Sequence, residues 1–237
     1  MPEHHDVKTF YDGTYYPGDH GHHRAPWHMR KIASRLQISP GDSALDIACG
    51  TGAWLQELQG HGAAVSGIDI SERAIASAKV RLPNADMRQG VAEDLPFDDG
   101  KFDLITCMGS LEHFLDQPGA LHEMRRVAKS SAHYLILVPN SGFLTRRLGL
   151  YGGTQQASIK ETVRSIDEWS DMFASAGLCV KSKWKDLHTL DIRWIIQGSP
   201  LRWPVRMAQA AILPFWPLRW QYQVYFWCVA SSLSPKN

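Results

Sequence analysis

No stretch of this 237-residue chain is apolar for long enough to cross a bilayer. A spanning helix needs about 20 consecutive apolar residues. The longest mainly apolar stretch, Met207 to Leu218, falls well short, includes Pro214 and Pro217, and lies between Arg206 and Arg219. It can lie on a surface but cannot span. The segment from Met1 to Arg30 is polar and rich in histidine, without the apolar core of a signal peptide. The four cysteines, Cys49, Cys107, Cys179 and Cys228, show no CxxC spacing. They read as reduced, buried thiols in a cytoplasmic protein, not a disulfide frame or a zinc site. No charge sign dominates: 25 Lys+Arg face 24 Asp+Glu, for a net charge of +1. That excludes a nucleic-acid binder working through bulk basic charge.

What is present is an ordinary globular composition, 44% hydrophobic and 21% charged. Histidines concentrate between His4 and His28, and residues 1–23 read as a loop or mobile segment. A helix is expected from Arg24 to Leu36. From Ser43 onward apolar strands alternate with helical segments: strands at Ala44–Cys49, Ala64–Asp69, Ala85–Gln89, Phe102–Met108, Tyr134–Val138, Leu178–Trp184 and Gln221–Ala230. Helices are expected at Ala53–Gln59, Ser71–Arg81, Pro118–Ala128 and Ser165–Ala176, with Ser71 and Asp167 as caps. This alternation implies an α/β fold: a mainly parallel sheet of seven strands, helices on both faces, and the final strand antiparallel. Two units follow: residues 1–42 as an N-terminal lid and helix, and 43–237 as the main domain. Two stretches break the alternation, Asn140–Val163 and Leu187–Trp220, and long insertions of this kind are commonly functional. The second is expected to form a cap. It carries Trp194, Trp203, Trp216 and Trp220 beside Arg193, Arg202, Arg206 and Arg219, a pattern suited to an anionic lipid surface, to a cap over an acceptor, or to a subunit interface.

The strongest local signal is Leu45-Asp46-Ile47-Ala48-Cys49-Gly50-Thr51-Gly52, a buried strand entering a glycine-rich turn and then a helix. Glycine allows the sharp turn and close backbone approach to a ligand. Asp69 ends the next strand, where a carboxylate can accept hydrogen bonds from a ribose diol. A dinucleotide fingerprint would need glycine where Leu55 stands. The motif instead resembles the class I S-adenosylmethionine (SAM)-dependent methyltransferases, as do three later segments in matching order: Gly90–Phe97, Lys101–Ile105 and Ser110–Asp116. Together these are similar to the methyltransferase type 11 group that includes ubiquinone- and glycan-modifying enzymes. The Rossmann-like methyltransferase sheet, the cofactor SAM and the product S-adenosylhomocysteine are implied by that resemblance.

Site roles follow from the resemblance position by position. Gly50 and Gly52 would let the backbone approach the cofactor, and Asp46 would organise the turn or reach the SAM amino group through water. Asp69 would bind the ribose, Ile70 would pack on adenine, Ala92 and Glu93 would line its edge, and Met108 would contact the amino-acid part. Val91 stands where relatives often carry an Asp. Arg24 would meet the SAM carboxylate from the lid. His113 is the candidate general base, being in reach of neutral-pH titration. Tyr15, Tyr16, His23, Trp27, Gln155 and Gln156 are candidate acceptor contacts. Some relatives hold a divalent metal with a Glu-x-x-Glu-His cluster, but here the first position is Gly109, leaving Glu112 and His113, too few for a dependable site. No metal is expected. The expected activity is methyl transfer to a small molecule, at a hydroxyl of a glycan precursor or of a lipid-like, isoprenoid-linked metabolite. No nucleic-acid partner is expected, and peripheral membrane contact through 187–220 is. A SAM-binding scaffold without turnover is the alternative, and an RNA methyltransferase stands behind both.

Overall fold

A computed structural model describes residues 4–16, 25–147, 149, 161–196 and 198–231. Its centre is a seven-stranded sheet in the order β3-β2-β1-β4-β5-β7-β6. The strands are β1 (Ser43–Ile47), β2 (Ala64–Asp69), β3 (Asp86–Gln89), β4 (Phe102–Met108), β5 (Ala128–Pro139), β6 (Leu178–Lys185) and β7 (Gln223–Ala230). All run parallel except β7, which pairs antiparallel with both β5 and β6. The helices are α1 (His4–Phe10), α2 (Trp27–Ala33), α3 (Ala53–Gly60), α4 (Glu72–Arg81), α5 (Gln117–Val127), α6 (Leu144–Arg147), α7 (Ile166–Ser175), α8 (Ile192–Ile195) and α9 (Trp203–Ile212).

Strand side chains alternate between the two faces, so the sheet builds two cores. On one face Leu45, Ile47, Ile105, Tyr134 and Phe226 meet Leu121 and Met124 of α5 and Trp169 and Phe173 of α7. On the other Ala44, Val65, Leu104, Leu135 and Tyr225 meet Ile32, Trp54, Leu58 and Ile75 of α2, α3 and α4. Trp169 is fully buried, and its indole Nε1 donates to Pro139 O at 2.8 Å, so its one polar atom is satisfied.

Several elements differ from the sequence expectation. Residues 4–15 are not loop: α1 leads into a π-helical turn, Tyr11–Tyr15. Val7 is buried beneath it, and Asp12 ties the turn down by accepting from Lys8 Nζ (2.7 Å) and Ser71 Oγ (2.6 Å). β5 begins at Ala128 and not at the apolar run from Tyr134, because parallel pairing with β4 extends down to Phe102 opposite Ala128 while Lys129, Ser130 and Ser131 face outward. α7 is capped by Ser165, not Asp167: Ser165 Oγ accepts from Glu168 N and the Glu168 carboxylate accepts from Ser165 N. Cys179 is exposed, while the other three thiols are buried. The described part of 187–220 is a chain of short helical turns around α8 and α9.

Candidate active site

Strand order reverses between β1 and β4, and in open α/β sheets the ligand site lies beyond the carboxyl ends of the strands at that point. A cavity of about 420 Å³ opens there. The turn after β1 shapes its floor. Ala48 and Gly50 both adopt left-handed backbone (φ 58° and 53°), which carries the chain away from the sheet edge. A Cβ on Gly50 would stand 2.7 Å from the Tyr16 hydroxyl, so a larger residue here would combine left-handed strain with displacement of Tyr16.

Two buried carboxylates line the cavity. Asp46 Oδ1 accepts from Thr106 Oγ1 at 2.6 Å, and Thr106 in turn accepts from the Trp54 indole at 3.1 Å. Burial pushes the Asp46 carboxyl up to about 8. Asp69 accepts from Gly50 N and Ser71 N, each at 2.8 Å, which joins the ends of β1 and β2; burial raises this carboxyl too. Burial thus holds both carboxyls toward their neutral forms, and a cationic ligand beside them would favour the charged forms. That suits SAM, which carries an ammonium and a sulfonium.

Asp46, Gly50, Asp69, Ile70, Ala92, Glu93, Met108, His113 and Tyr16 all border this cavity. The Glu93 carboxylate also accepts from Leu115 N (3.0 Å) and Asp116 N (3.2 Å), so it braces the following loop. Gly52 lies outside. Its φ is 77° and its Cα faces Ala78 of α4, where a Cβ would come within 3.3 Å, so its work is helix packing. Trp27 is also outside, set edge-on to His28. Tyr15 closes the π-helical turn. Arg24, His23, Gln155 and Gln156 fall outside the described residues. From the N-terminal segment, Val7, Tyr11 and His4 border the cavity as well, His4 Nε2 standing 3.5 Å from Glu93 Oε2. The sequence singled out none of these three.

The end of β4 leads into a second cluster of polar groups. Leu111–His113 form one helical turn in which Glu112 and His113 are both buried. Thr162 N donates to Glu112 O at 2.9 Å and brings Glu161 alongside. One ligand atom from each of Glu112, His113 and Glu161 lies within 4.8 Å of the others. Burial and the neighbouring Glu161 push the Glu112 carboxyl up to about 8. These three groups can hold a divalent cation, so the protein ligands number three where the motif alone supplied two. Glu161 carries no sequence signal, being far from Glu112 along the chain.

Comparison with known proteins agrees with this geometry. Residues 45–136 match a family model described as a methyltransferase domain. The ubiquinone biosynthesis O-methyltransferase of Thiobacillus denitrificans is 34% identical over 176 residues, covering 72% of this chain and 75% of that protein. A demethylmenaquinone methyltransferase of Bacillus cereus is 34% identical over 178 residues, covering 63% and 75%. Other curated relatives align over shorter segments, and of those the chain spans only a third to a half of the length. Among solved structures, a Haloferax volcanii chain in complex with the Trm112 methyltransferase activator superposes with a TM-score of 0.74 at 24% identity, covering 96% of this chain and 99% of that one, a likeness of fold. The chain belongs to the class I SAM-dependent methyltransferase family. SAM is the cofactor of that family, and the cavity beside the glycine turn, with its two buried carboxyls, fits it.

Proposed function

We propose that this protein transfers a methyl group from SAM to a hydroxyl of a lipid-like small molecule, working against an anionic membrane surface. SAM supplies an electrophilic methyl on sulfonium. Asp46, Asp69 and the Gly50 turn would hold it, and α1 with the Tyr11–Tyr15 turn would exclude water from above. His113, at the cavity edge, would take the acceptor proton.

The observation that carries the lipid reading is the outer face of the 187–220 cap. Of nine large apolar side chains that stand exposed among the described residues, eight lie between Ile192 and Phe215. Leu201 is 89% exposed, Phe215 87% and Val205 69%. Arg193, Arg202 and Arg219 are exposed beside them, and the single acidic residue of the segment, Asp191, is buried. A clustered apolar face flanked by cations matches the chemistry of an anionic lipid interface. No described helix is long and apolar enough to cross a membrane. The named activities of the quinone-modifying relatives point the same way, and the candidate acceptor contacts Gln155 and Gln156 lie outside the described residues.

Sedimentation with phosphatidylglycerol-containing vesicles, in the presence of methyl-labelled SAM and extracted bacterial lipid, tests the reading. The protein should pellet with anionic vesicles and not with pure phosphatidylcholine, and label should enter the organic phase. The Leu201→Ser/Phe215→Ser double variant should lose most vesicle binding with unchanged SAM affinity. Equal pelleting of the double variant would remove the membrane component. SAM binding without label transfer to any acceptor would leave a scaffold.

A further inference from the structure

Residues 4–16 border the cofactor cavity through His4, Val7, Tyr11 and Tyr16. Few strong contacts hold them there. Among the side chains described in this segment, Val7 alone is buried. At one end His4 Nε2 stands 3.5 Å from Glu93 Oε2, but the His4 ring is exposed, and an exposed pair of this kind contributes little. At the other end Arg73 Nη1 donates to Tyr16 O at 3.4 Å, a long bond. Little apolar burial and exposed ties are the profile of an element that opens locally.

Asp12 is the exception, because both of its carboxylate oxygens are bonded. Oδ2 accepts from Lys8 Nζ at 2.7 Å, within the segment itself. Oδ1 reaches across to the start of α4, where it accepts from Ser71 Oγ at 2.6 Å and from Arg73 N at 3.4 Å. A carboxylate at a helix N-terminus is favoured by the backbone dipole, and a hydroxyl donating to a charged oxygen makes a short, strong bond. Partial burial pushes the Asp12 carboxyl up, but the bonds from Lys8, Ser71 and Arg73 outweigh it and hold the group below its ordinary value. Ser71 is used three times: its backbone N donates to Asp69 Oδ1 at 2.8 Å, its hydroxyl accepts from Ala74 N at 3.1 Å, and the same hydroxyl donates to Asp12. One residue therefore joins the N-terminal segment, a buried carboxyl of the cofactor cavity and the cap of α4. Asp12, Lys8, Ser71 and Arg73 all lie outside the lining of the cavity.

We infer that Asp12 is a latch: its bond to Ser71 holds residues 4–16 down over the cofactor cavity and sets the rate at which SAM enters and S-adenosylhomocysteine leaves. The inference rests on the reading of this segment as the cover of the SAM site and adds the residue that controls it. A tie that touches no ligand favours the closed cover equally in the free and the bound protein, so it shifts no binding equilibrium. Its loss must speed entry and release together and leave affinity nearly unchanged. A residue that contacted the cofactor would instead change release and affinity in step.

The test is rapid-filtration kinetics of the full chain with radiolabelled S-adenosylhomocysteine, with amide hydrogen exchange read over residues 4–16. Asp12→Ala should raise both the association and the release rate at least tenfold, the scale of one lost bond to a charged group, with the dissociation constant within about threefold. That retained affinity also reports that the variant is folded. Ser71→Ala should raise both rates as well, and Asp12→Ala added to it should change them less than threefold, because the two substitutions break the same bond. Amide exchange across residues 4–16 should slow when S-adenosylhomocysteine binds the wild-type protein and quicken in Asp12→Ala. Unchanged rates, a rise in release alone with a matching loss of affinity, or fully independent effects of the two substitutions would each overturn the latch. Exchange in residues 4–16 that is indifferent to S-adenosylhomocysteine would remove the cover itself and the latch with it, whereas slowed exchange with unchanged rates would remove the latch alone.

Discussion

Asp46 is a carboxyl whose ordinary value is reset by burial to about 8. Folding thus raises its affinity for a proton. The stability it contributes is present below its unfolded value of 3.8 and is lost as pH rises through about 8, since the folded state then must hold a charge in a desolvated site. The free protein should therefore lose melting temperature between pH 5 and pH 8.5. Asp46→Asn should flatten part of that slope, and the gain in melting temperature given by SAM should grow with pH. Scanning calorimetry at four pH values checks both; a SAM gain that shrinks with pH would refute the charge argument. At Asp69, substitution by Ala removes the acceptor for Gly50 N and Ser71 N as well as the carboxylate proposed to hold SAM, so SAM affinity should fall at least tenfold. His113→Ala should lower kcat by at least a hundredfold while the SAM dissociation constant stays within about twofold, if His113 is the proposed base. Normal turnover would leave His113 a packing residue. Asp46, Asp69 and His113 were all legible in the chain because each sits in a short motif whose local geometry sets its place. The raised pKa of Asp46 was not, because it comes from burial by distant segments, with Asp69 adding to it and the Thr106 hydroxyl working against it.

Helix α7 shows how an element can be read correctly and its boundary misplaced. Its apolar face, Trp169 and Phe173, is evident in sequence, but the cap depends on which of two neighbouring polar residues takes extended backbone, and Ser165 does. Ser165→Ala should cost about 1 kcal/mol by chemical denaturation, the usual value of a lost cap. Gly52 gives a second element-level expectation. With φ at 77° and Ala78 at 3.3 Å from a built Cβ, Gly52→Ala combines left-handed strain with crowding between α3 and α4. A loss of about 1–2 kcal/mol should appear with only an indirect effect on SAM, since Gly52 does not line the cavity. The turn Leu111–His113 behaves differently. Its pairing with Glu161 belongs to tertiary structure, and neither Glu112 nor Glu161 borders the cofactor cavity. SAM affinity should therefore be the same in EDTA as in excess Mn2+; a large difference would place a cation in the cofactor site itself.

Across the whole molecule, the alternation of strands and helices was enough to specify the parallel sheet, the antiparallel final strand and the cofactor end of the domain. These features follow from periodicity and from a glycine turn, which act over a few residues, and that is why they survive being read without a structure. The helical form of residues 4–15, the full lining of the cofactor cavity and the identity of the exposed side chains in 187–220 could not be obtained that way. Asp12 meets Ser71, Glu161 meets Glu112, and His28 meets Asp186, pairs far apart in the chain whose proximity no local pattern encodes. The sequence by itself determined the class of fold, through short-range periodicity, and the donor of the methyl group, through motifs that resemble those of a known family. Only the tertiary structure decided what faces solvent and what is left unpaired in the interior, because burial is a property of the whole packed chain.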